Sequence, residues 1–284
     1  MPEQTERFIR KYEMFRHRDR ILVAVSGGKD SLSLWDTLLQ LGYQADGFYI
    51  DLGIDGGLKY SEQSHEYAAR FAESRGVKLL VASVSAITSK SLPEIAQISG
   101  RNKGHACSAC GLIKRRLMNR IVLDEGYDVI ATGHNLDDEA AVLFSNTLTW
   151  DVPLLSRQAP VLPAHSGFAA KVKPFCRFYE RETAAYCLLR GIEYVYDECP
   201  FSTGTRTNEL KSWLNRLEED QPGLKLNFYL SYLRARQNGL FPESVESKTA
   251  EEQVCPRCGS PTITGGLCAF CRLMDQINDQ TVSR

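Results

Sequence analysis

The chain has 284 residues, 43% hydrophobic and 24% charged, with a net charge of −1. That composition excludes a disordered chain and allows a full buried core, while the near-neutral charge argues against coating nucleic acid by bulk electrostatics. No apolar run approaches the ~20 residues that span a bilayer, and the N-terminus MPEQTERFIRKYEMFRHRDR lacks the apolar core of a signal peptide, so the expectation is a cytoplasmic protein with no membrane attachment.

Residues 1–20 read as a basic amphipathic helical segment leading into a sheet. Ile21 to Val25 is an apolar run of strand type, and Leu32, Leu34, Trp35, Leu38 and Leu39 recur at helical spacing until Gly42. The alternation continues with a strand near Asp46 to Ile50, a helix near Ser61 to Arg75 and a strand near Lys78 to Val84. A helix near Leu112 to Glu125, a strand near Asp128 to Thr132 and a helix near Leu136 to Thr149 follow. Repeated βα units specify an α/β fold with a doubly wound parallel sheet. Ligands of such sheets sit outside the carboxyl ends of the strands, so residues 26–31, 51–57 and 133–138 should face one site. The catalytic domain is expected over 21–198 and a helical extension over 199–241, with helices around 210–217 and 226–236. A charged linker at 242–254, a cysteine module at 255–271 and a fraying polar tail complete the chain.

Ser26-Gly27-Gly28-Lys29-Asp30-Ser31 joins the first strand to the first helix. Two glycines let main-chain N–H groups approach an anion, the helix N-terminus adds free donors, and Lys29 adds charge. A Walker A loop would need glycine at position 23 and serine or threonine at 30, where the chain has Val23 and Asp30. SGGKDS resembles instead the PP-loop of N-type ATP-pyrophosphatases, which transfer AMP and release pyrophosphate. Asp30 beside a polyphosphate points to a bridging Mg²⁺. A glycine turn without a ligand is the plainer alternative.

Six of the nine cysteines lie in three CxxC pairs, which in a reducing compartment points to metal or redox chemistry rather than disulfides. Cys107-Ser-Ala-Cys110 precedes the basic run IKRRLMNR; alone it is compatible with zinc, a redox pair, an iron–sulfur cluster or packing. Cys199, followed by proline where the βα repeat ends, is the candidate third ligand, while Cys176 and Cys187 sit in apolar surroundings as core residues. Three thiolates on a [4Fe-4S] cluster would leave one iron open to an incoming ligand. His105 and His134 read as structural histidines. Basic patches at Lys114, Arg115, Arg116 and Arg120, and at Lys171, Lys173, Arg177 and Arg181, suit either RNA contact or a solvated helix face.

SGGKDS, SGRNKGHACSACGLIKRR, ATGHNLDDEA, KVKPF and DECPFS together, over roughly residues 20 to 235, resemble the TtuA-type tRNA 2-thiouridine synthetases, relatives of the TtcA 2-thiocytidine enzymes. The resemblance implies an ATP-dependent tRNA uridine 2-sulfurtransferase with a [4Fe-4S] cluster on Cys107, Cys110 and Cys199, whose open iron carries the sulfur. It implies catalytic roles for Lys114 and Asp138, and ATP contacts at Ala24, Ser26, Gly27, Gly28, Lys29, Asp30, Ser31, Ile50, Lys114, Gly133 and Asp138. Ile50 would contact adenosine through its backbone. It also implies tRNA as partner, a thiocarboxylated ubiquitin-like protein or sulfide as sulfur donor, and a homodimer. Plainer readings are a tRNA contact for Lys114 and a helix-dipole acid for Asp138. A PP-loop ligase or amidotransferase acting on a carboxylate, and a nonenzymatic RNA- or protein-binding adaptor, are the alternatives; the first leaves the cluster cysteines without a task and the second leaves SGGKDS without one.

Cys255, Cys258, Cys268 and Cys271 form two CxxC pairs nine residues apart, with glycines beside each. That spacing suits a closed tetrahedral Zn²⁺ site of structural or docking type, whose metal would supply much of the module's folding energy. TtuA-type enzymes also carry an N-terminal zinc finger with two ligand pairs, whereas no cysteine precedes Cys107 in these 284 residues.

Overall fold

The computed structural model describes residues 1–55, 57, 59–98, 106–165, 167–202, 204–241, 253–262 and 265–282. His105, Gly56 and most of the linker expected at 242–254 lie outside the described residues.

In chain order the elements are α1 (Pro2–Lys11), β1 (Ile21–Val25), α2 (Lys29–Gln40), β2 (Ala45–Asp51), α3 (Tyr60–Arg75), β3 (Leu79–Ser83), α4 (Val84–Thr88), α5 (Leu92–Ile98) and α6 (Ala106–Asp124). They continue with β4 (Val129–Thr132), α7 (Leu136–Thr149), α8 (Val152–Arg157), β5 (Val161–Leu162), β6 (Ala170–Val172), α9 (Glu180–Arg190), α10 (Arg206–Asp220) and α11 (Leu224–Gln237). The hairpin β7 (Gln253–Val254) and β8 (Pro261–Thr262) and a last helix, α12 (Ala269–Val282), close the chain.

The main sheet has the order β3-β2-β1-β4-β6-β5. Every neighbouring pair is parallel except β5 with β6. The chain winds outward from β1 to β3, then returns across β1 to lay down β4. The connections after β1 and β4 therefore diverge, and a crevice opens between them. β1 is buried on both faces, as its continuous apolar run requires. Ile21, Val23 and Val25 pack with Ile9, Trp35, Leu38 and Phe71 on one side, and Leu22 packs with Ile95, Ile113 and Leu117 on the other. Beyond β4, α10 and α11 pack on α7, with Leu210 and Leu214 against Ala140 and Ala141 and Tyr229 and Leu233 against Leu136 and Leu143.

Two elements differ from the sequence expectation in ways that matter for the site. Helix α6 begins at Ala106 rather than near Leu112, because Ala109, Ile113 and Leu117 form one buried stripe at four-residue spacing. Cys107, Cys110 and Lys114 thus share a helical face. The tail expected to fray is α12: Leu273 and Ile277 are 3% and 1% exposed and join the core cluster of α5 and α6. Burying two such side chains contributes roughly 3–6 kcal/mol before chain entropy is counted.

Candidate active site

The loop after β1 folds around its own serines. Ser31 Oγ accepts from the Ser26 N–H at 3.1 Å and donates to the Gly28 carbonyl at 3.0 Å, so the loop is pre-shaped at the mouth of α2. Gly27 has φ +75°, and a Cβ there would lie 2.2 Å from the Ser64 carbonyl of α3; only glycine satisfies both constraints. Lys29 Nζ bonds Glu180 Oε1 at 2.6 Å and Asp30 Oδ2 at 3.2 Å. Burial opposes its charge, but Asp30 and Glu180 outweigh burial and hold the amine above the ordinary lysine value. Asp30 Oδ1 accepts from Asn135 Nδ2 at 3.2 Å and from Thr183 Oγ1 at 2.5 Å. Burial raises its pKa despite Lys29. Oδ1 thus carries two donors, while Oδ2 has Lys29 alone.

Across the crevice, Gly133 follows β4 and Asn135 caps α7. Asn135 Oδ1 accepts from the Asp138 N–H at 3.0 Å, and Asp138 Oδ2 accepts from the Asn135 N–H at 3.2 Å, a reciprocal capping box. The other oxygen, Oδ1, pairs with Lys211 Nζ at 2.5 Å. Burial works against the carboxylate, yet Lys211 and His134 keep its pKa below the usual range. His134 lies beside Thr132 Oγ1 at 2.8 Å, and desolvation lowers its pKa. Lys171 on β6 is pushed down to about 8 by burial, with Lys173 and Arg115 adding repulsion.

Cys107, Cys110 and Cys199 come together although 89 residues separate the last two. The Cys107 thiol donates to the Phe201 carbonyl at 3.4 Å, and the Lys114 ammonium lies near Cys110 on the same helical face. Burial raises the Cys110 and Cys107 thiols, with Lys114 pulling both the other way. Tyr60, at the start of α3, faces Cys199 and Cys110, and its phenol is pushed up to about 12, first by burial. The segment leading to Cys199 is tied to the phosphate loop by Val195 N–H to the Gly27 carbonyl at 3.0 Å. The N-terminal end of α3 therefore borders both sites, Tyr60 facing the thiols and Ser64 backing Gly27. Three clustered thiols beside an ammonium, one of them exposed, fit a cluster with one iron lacking a protein ligand.

The second metal candidate is tighter. The sulfurs of Cys255, Cys258, Cys268 and Cys271 all lie within 4.8 Å of one another, with Cys255–Cys271 at 3.8 Å and Cys258–Cys268 at 3.6 Å. These are the edge lengths of a tetrahedron whose centre lies about 2.3 Å from each sulfur, the Zn–S distance. The Cys268 N–H donates to Cys255 Sγ at 3.3 Å, and such main-chain donors, that of Cys268 first, lower the Cys255 thiol to about 6. The four thiols fit zinc.

The PP-loop domain family matches residues 1–216. A tRNA-5-methyluridine(54) 2-sulfurtransferase from Thermus thermophilus is 49% identical over 97% of this chain and 82% of its own length. Its counterpart from Pyrococcus horikoshii is 41% identical over 95% of this chain and 83% of its own length. The chain belongs to this PP-loop sulfurtransferase family. A solved structure, the U34-tRNA thiolase NcsA from Methanococcus maripaludis with its [4Fe-4S] cluster, shares the fold at a TM-score of 0.75 and 24% identity, covering 98% of this chain and 87% of that one.

The residues expected from sequence to contact ATP, Lys114 excepted, fall at the carboxyl ends of β1, β2 and β4 and in the segments that follow them. Ala24 ends the β1–β4 ladder opposite Thr132, Ser26 to Ser31 form the loop, and Ile50 lies one residue past the last β1–β2 pair, Val25 with Tyr49. Gly133 and Asp138 form the facing wall, while Lys114 stands with the thiols. Sequence reading missed Asn135, Thr183, Glu180 and Lys211. Asn135 stood in the GHNLDDEA motif three residues before an acid, a capping signal; the other three carried no local signal. Cys176 and Cys187 are buried core residues. No helix among the described residues is long and apolar enough to cross a membrane.

Proposed function

We infer that the chain is an ATP-dependent tRNA sulfurtransferase that adenylates the C2 oxygen of a uridine and replaces it with sulfur. The observation that carries this reading is the adjacency of the phosphate loop and the three-thiol site, joined through Val195 and Gly27. A PP-loop ligase would leave those thiols idle. We assign 5-methyluridine 54 as the substrate because both curated relatives above bear that name.

In the first step the C2 oxygen attacks the α-phosphorus and pyrophosphate departs. Lys29 and the N–H groups of Gly27 and Gly28 stabilise the charge on the leaving group. Asp138, held ionised by Lys211, is a weak proton acceptor, which favours its positioning the base over abstracting a proton. In the second step sulfur adds at C2, the C2–O bond breaks, and AMP leaves with the oxygen. Bound by Cys107, Cys110 and Cys199, a [4Fe-4S] cluster supplies the sulfur carrier. Lys114, beside Cys110, supplies positive charge where that sulfur arrives. Zn²⁺ on Cys255, Cys258, Cys268 and Cys271 is structural, and Mg²⁺ enters with ATP as its counter-ion.

The rest of the proposal is a cytoplasmic homodimer that takes sulfur from sulfide or a thiocarboxylated ubiquitin-like protein. Catalysis is assigned to 21–198, with 1–20, 199–241 and 255–271 as the N-terminal, helical and zinc segments. Nucleoside mass spectrometry of tRNA from a deletion strain tests the function. Loss of 2-thio-5-methyluridine restored by the intact gene supports it; an unchanged nucleoside profile overturns it.

A further inference from the structure

Five charged side chains converge in the crevice, three carboxylates against two ammonium groups. Glu180, the first residue of α9, bridges the two lysines, with Oε1 2.6 Å from Lys29 and Oε2 3.6 Å from Lys211. Lys211 in turn reaches Asp138 at 2.5 Å, and Lys29 reaches Asp30 at 3.2 Å. The lysines come from distant parts of the sequence, one at the phosphate loop and one from α10. One carboxylate is the bridge between them.

The site thus has a formal charge of −1 before a polyphosphate arrives. A polyphosphate keeps net negative charge even with its Mg²⁺ counter-ion, and it gains room and partners beside Lys29 when a carboxylate yields its place. Asp30 is fixed by Thr183 and Asn135, and Asp138 by its capping box. Glu180 is different: its side chain is 41% exposed, its carboxylate has no partners among the described residues besides the two lysines, and its helix position is secured by the main chain, through its N–H to Asp137 Oδ2 at 2.7 Å. It can swing into solvent without disturbing α9.

We propose that Lys211 is a second phosphate-binding lysine of the nucleotide site, and that Glu180 occupies the place of the ATP pyrophosphate, holding Lys29 and Lys211 until nucleotide displaces it. This rests on the reading of the chain as an ATP-using enzyme and adds a residue from the helical extension to the site. Binding then exchanges two lysine–carboxylate contacts for two lysine–phosphate contacts, and Lys211 keeps Asp138 as its second partner. No covalent step is added.

The test is calorimetric titration of the anaerobic, metal-loaded full-length protein with ATP and, separately, with AMP. K211M should weaken ATP about tenfold or more, with a loss for AMP several times smaller, and K211R should recover most of the ATP affinity. E180Q should move the other way and tighten ATP about threefold or more, because the competing anion is gone. A purely structural role for this cluster would make both substitutions weaken binding and would affect ATP and AMP alike. The proposal is overturned if K211M binds ATP as wild type does, if AMP loses as much as ATP, or if E180Q fails to tighten ATP. Wild-type protein that binds no ATP would overturn the nucleotide reading itself, which distinguishes the two failures.

Discussion

The α-carbon of Gly133 rests against the main chain of Asp30: a Cβ at Gly133 would lie 2.7 Å from the Asp30 carbonyl oxygen and 2.9 Å from the Ser31 nitrogen. The obstacle is backbone, which cannot rotate away as a side chain can. The loops after β1 and β4 are therefore interlocked at the point where the strand order reverses. G133A should push the phosphate loop out of register, costing about 1–3 kcal/mol of stability and weakening ATP about tenfold. Thermal melts and ATP titration check this; wild-type affinity in G133A would refute the interlock.

Cys199 reaches the other two thiols only through tertiary structure, while Phe201 lends its carbonyl to Cys107. C199A purified anaerobically should lack the broad visible absorbance and acid-labile sulfide of an iron–sulfur protein. Its thiolation rate should fall about a hundredfold or more, with ATP affinity within about threefold of wild type. A colourless C199A that still thiolates tRNA would show that the three cysteines do not hold a catalytic cluster.

Helix α12 begins between two zinc-candidate cysteines, since Cys271 lies in its first turn, and its middle turns bury Leu273 and Ile277 against α5 and α6. Metal in the four-thiol site and docking of the helix should be coupled. I277A should cost about 2–5 kcal/mol. Chelation of zinc should raise amide exchange in 269–282 and on the facing surface of α6. If chelation leaves exchange in α12 unchanged, the module and the core fold independently.

Lys171 gives a pH signature. Its folded pKa is pushed down to about 8 from an ordinary 10.5, first by burial and then by Lys173 and Arg115, against the pull of Glu139. Below about pH 8 both folded and unfolded chains carry the proton, so the cost of burying the charge is fully present. Between about 8 and 10.5 the folded chain sheds its proton first, the unfolded chain binds more protons, and the cost is relieved as pH rises. K171M should accordingly stabilise the protein by about 1–2 kcal/mol at pH 7, with the gain fading above pH ~10. Urea melts at the two pH values decide it; a gain that grows with pH would contradict the assigned shift.

Much of the site was legible without coordinates because it lies in short segments. SGGKDS between an apolar run and a helix is a local arrangement, and so are the two zinc-type cysteine pairs. Even α12 was written in the chain, since Phe270, Leu273, Met274 and Ile277 follow the spacing of one helical face. The polar composition of the tail obscured it. The early start of α6 was harder to read, because its buried stripe opens on Ala109, whose methyl group gives little periodic signal.

By itself, then, the sequence determined the parallel α/β sheet, the phosphate loop and the thiol pairs, since each depends on residues within a few positions of one another. Only the tertiary structure decided that Gly133 abuts Asp30 and that Glu180 and Lys211 meet Lys29 and Asp138 beside the phosphate loop, and it brought Cys199, a candidate in the sequence, to Cys107 and Cys110. Those relationships join residues from separate elements. The turn-back of the chain across β1 brings them together, and no local spacing encodes the contact of side chains that meet only when α7, α9 and α10 pack on that sheet.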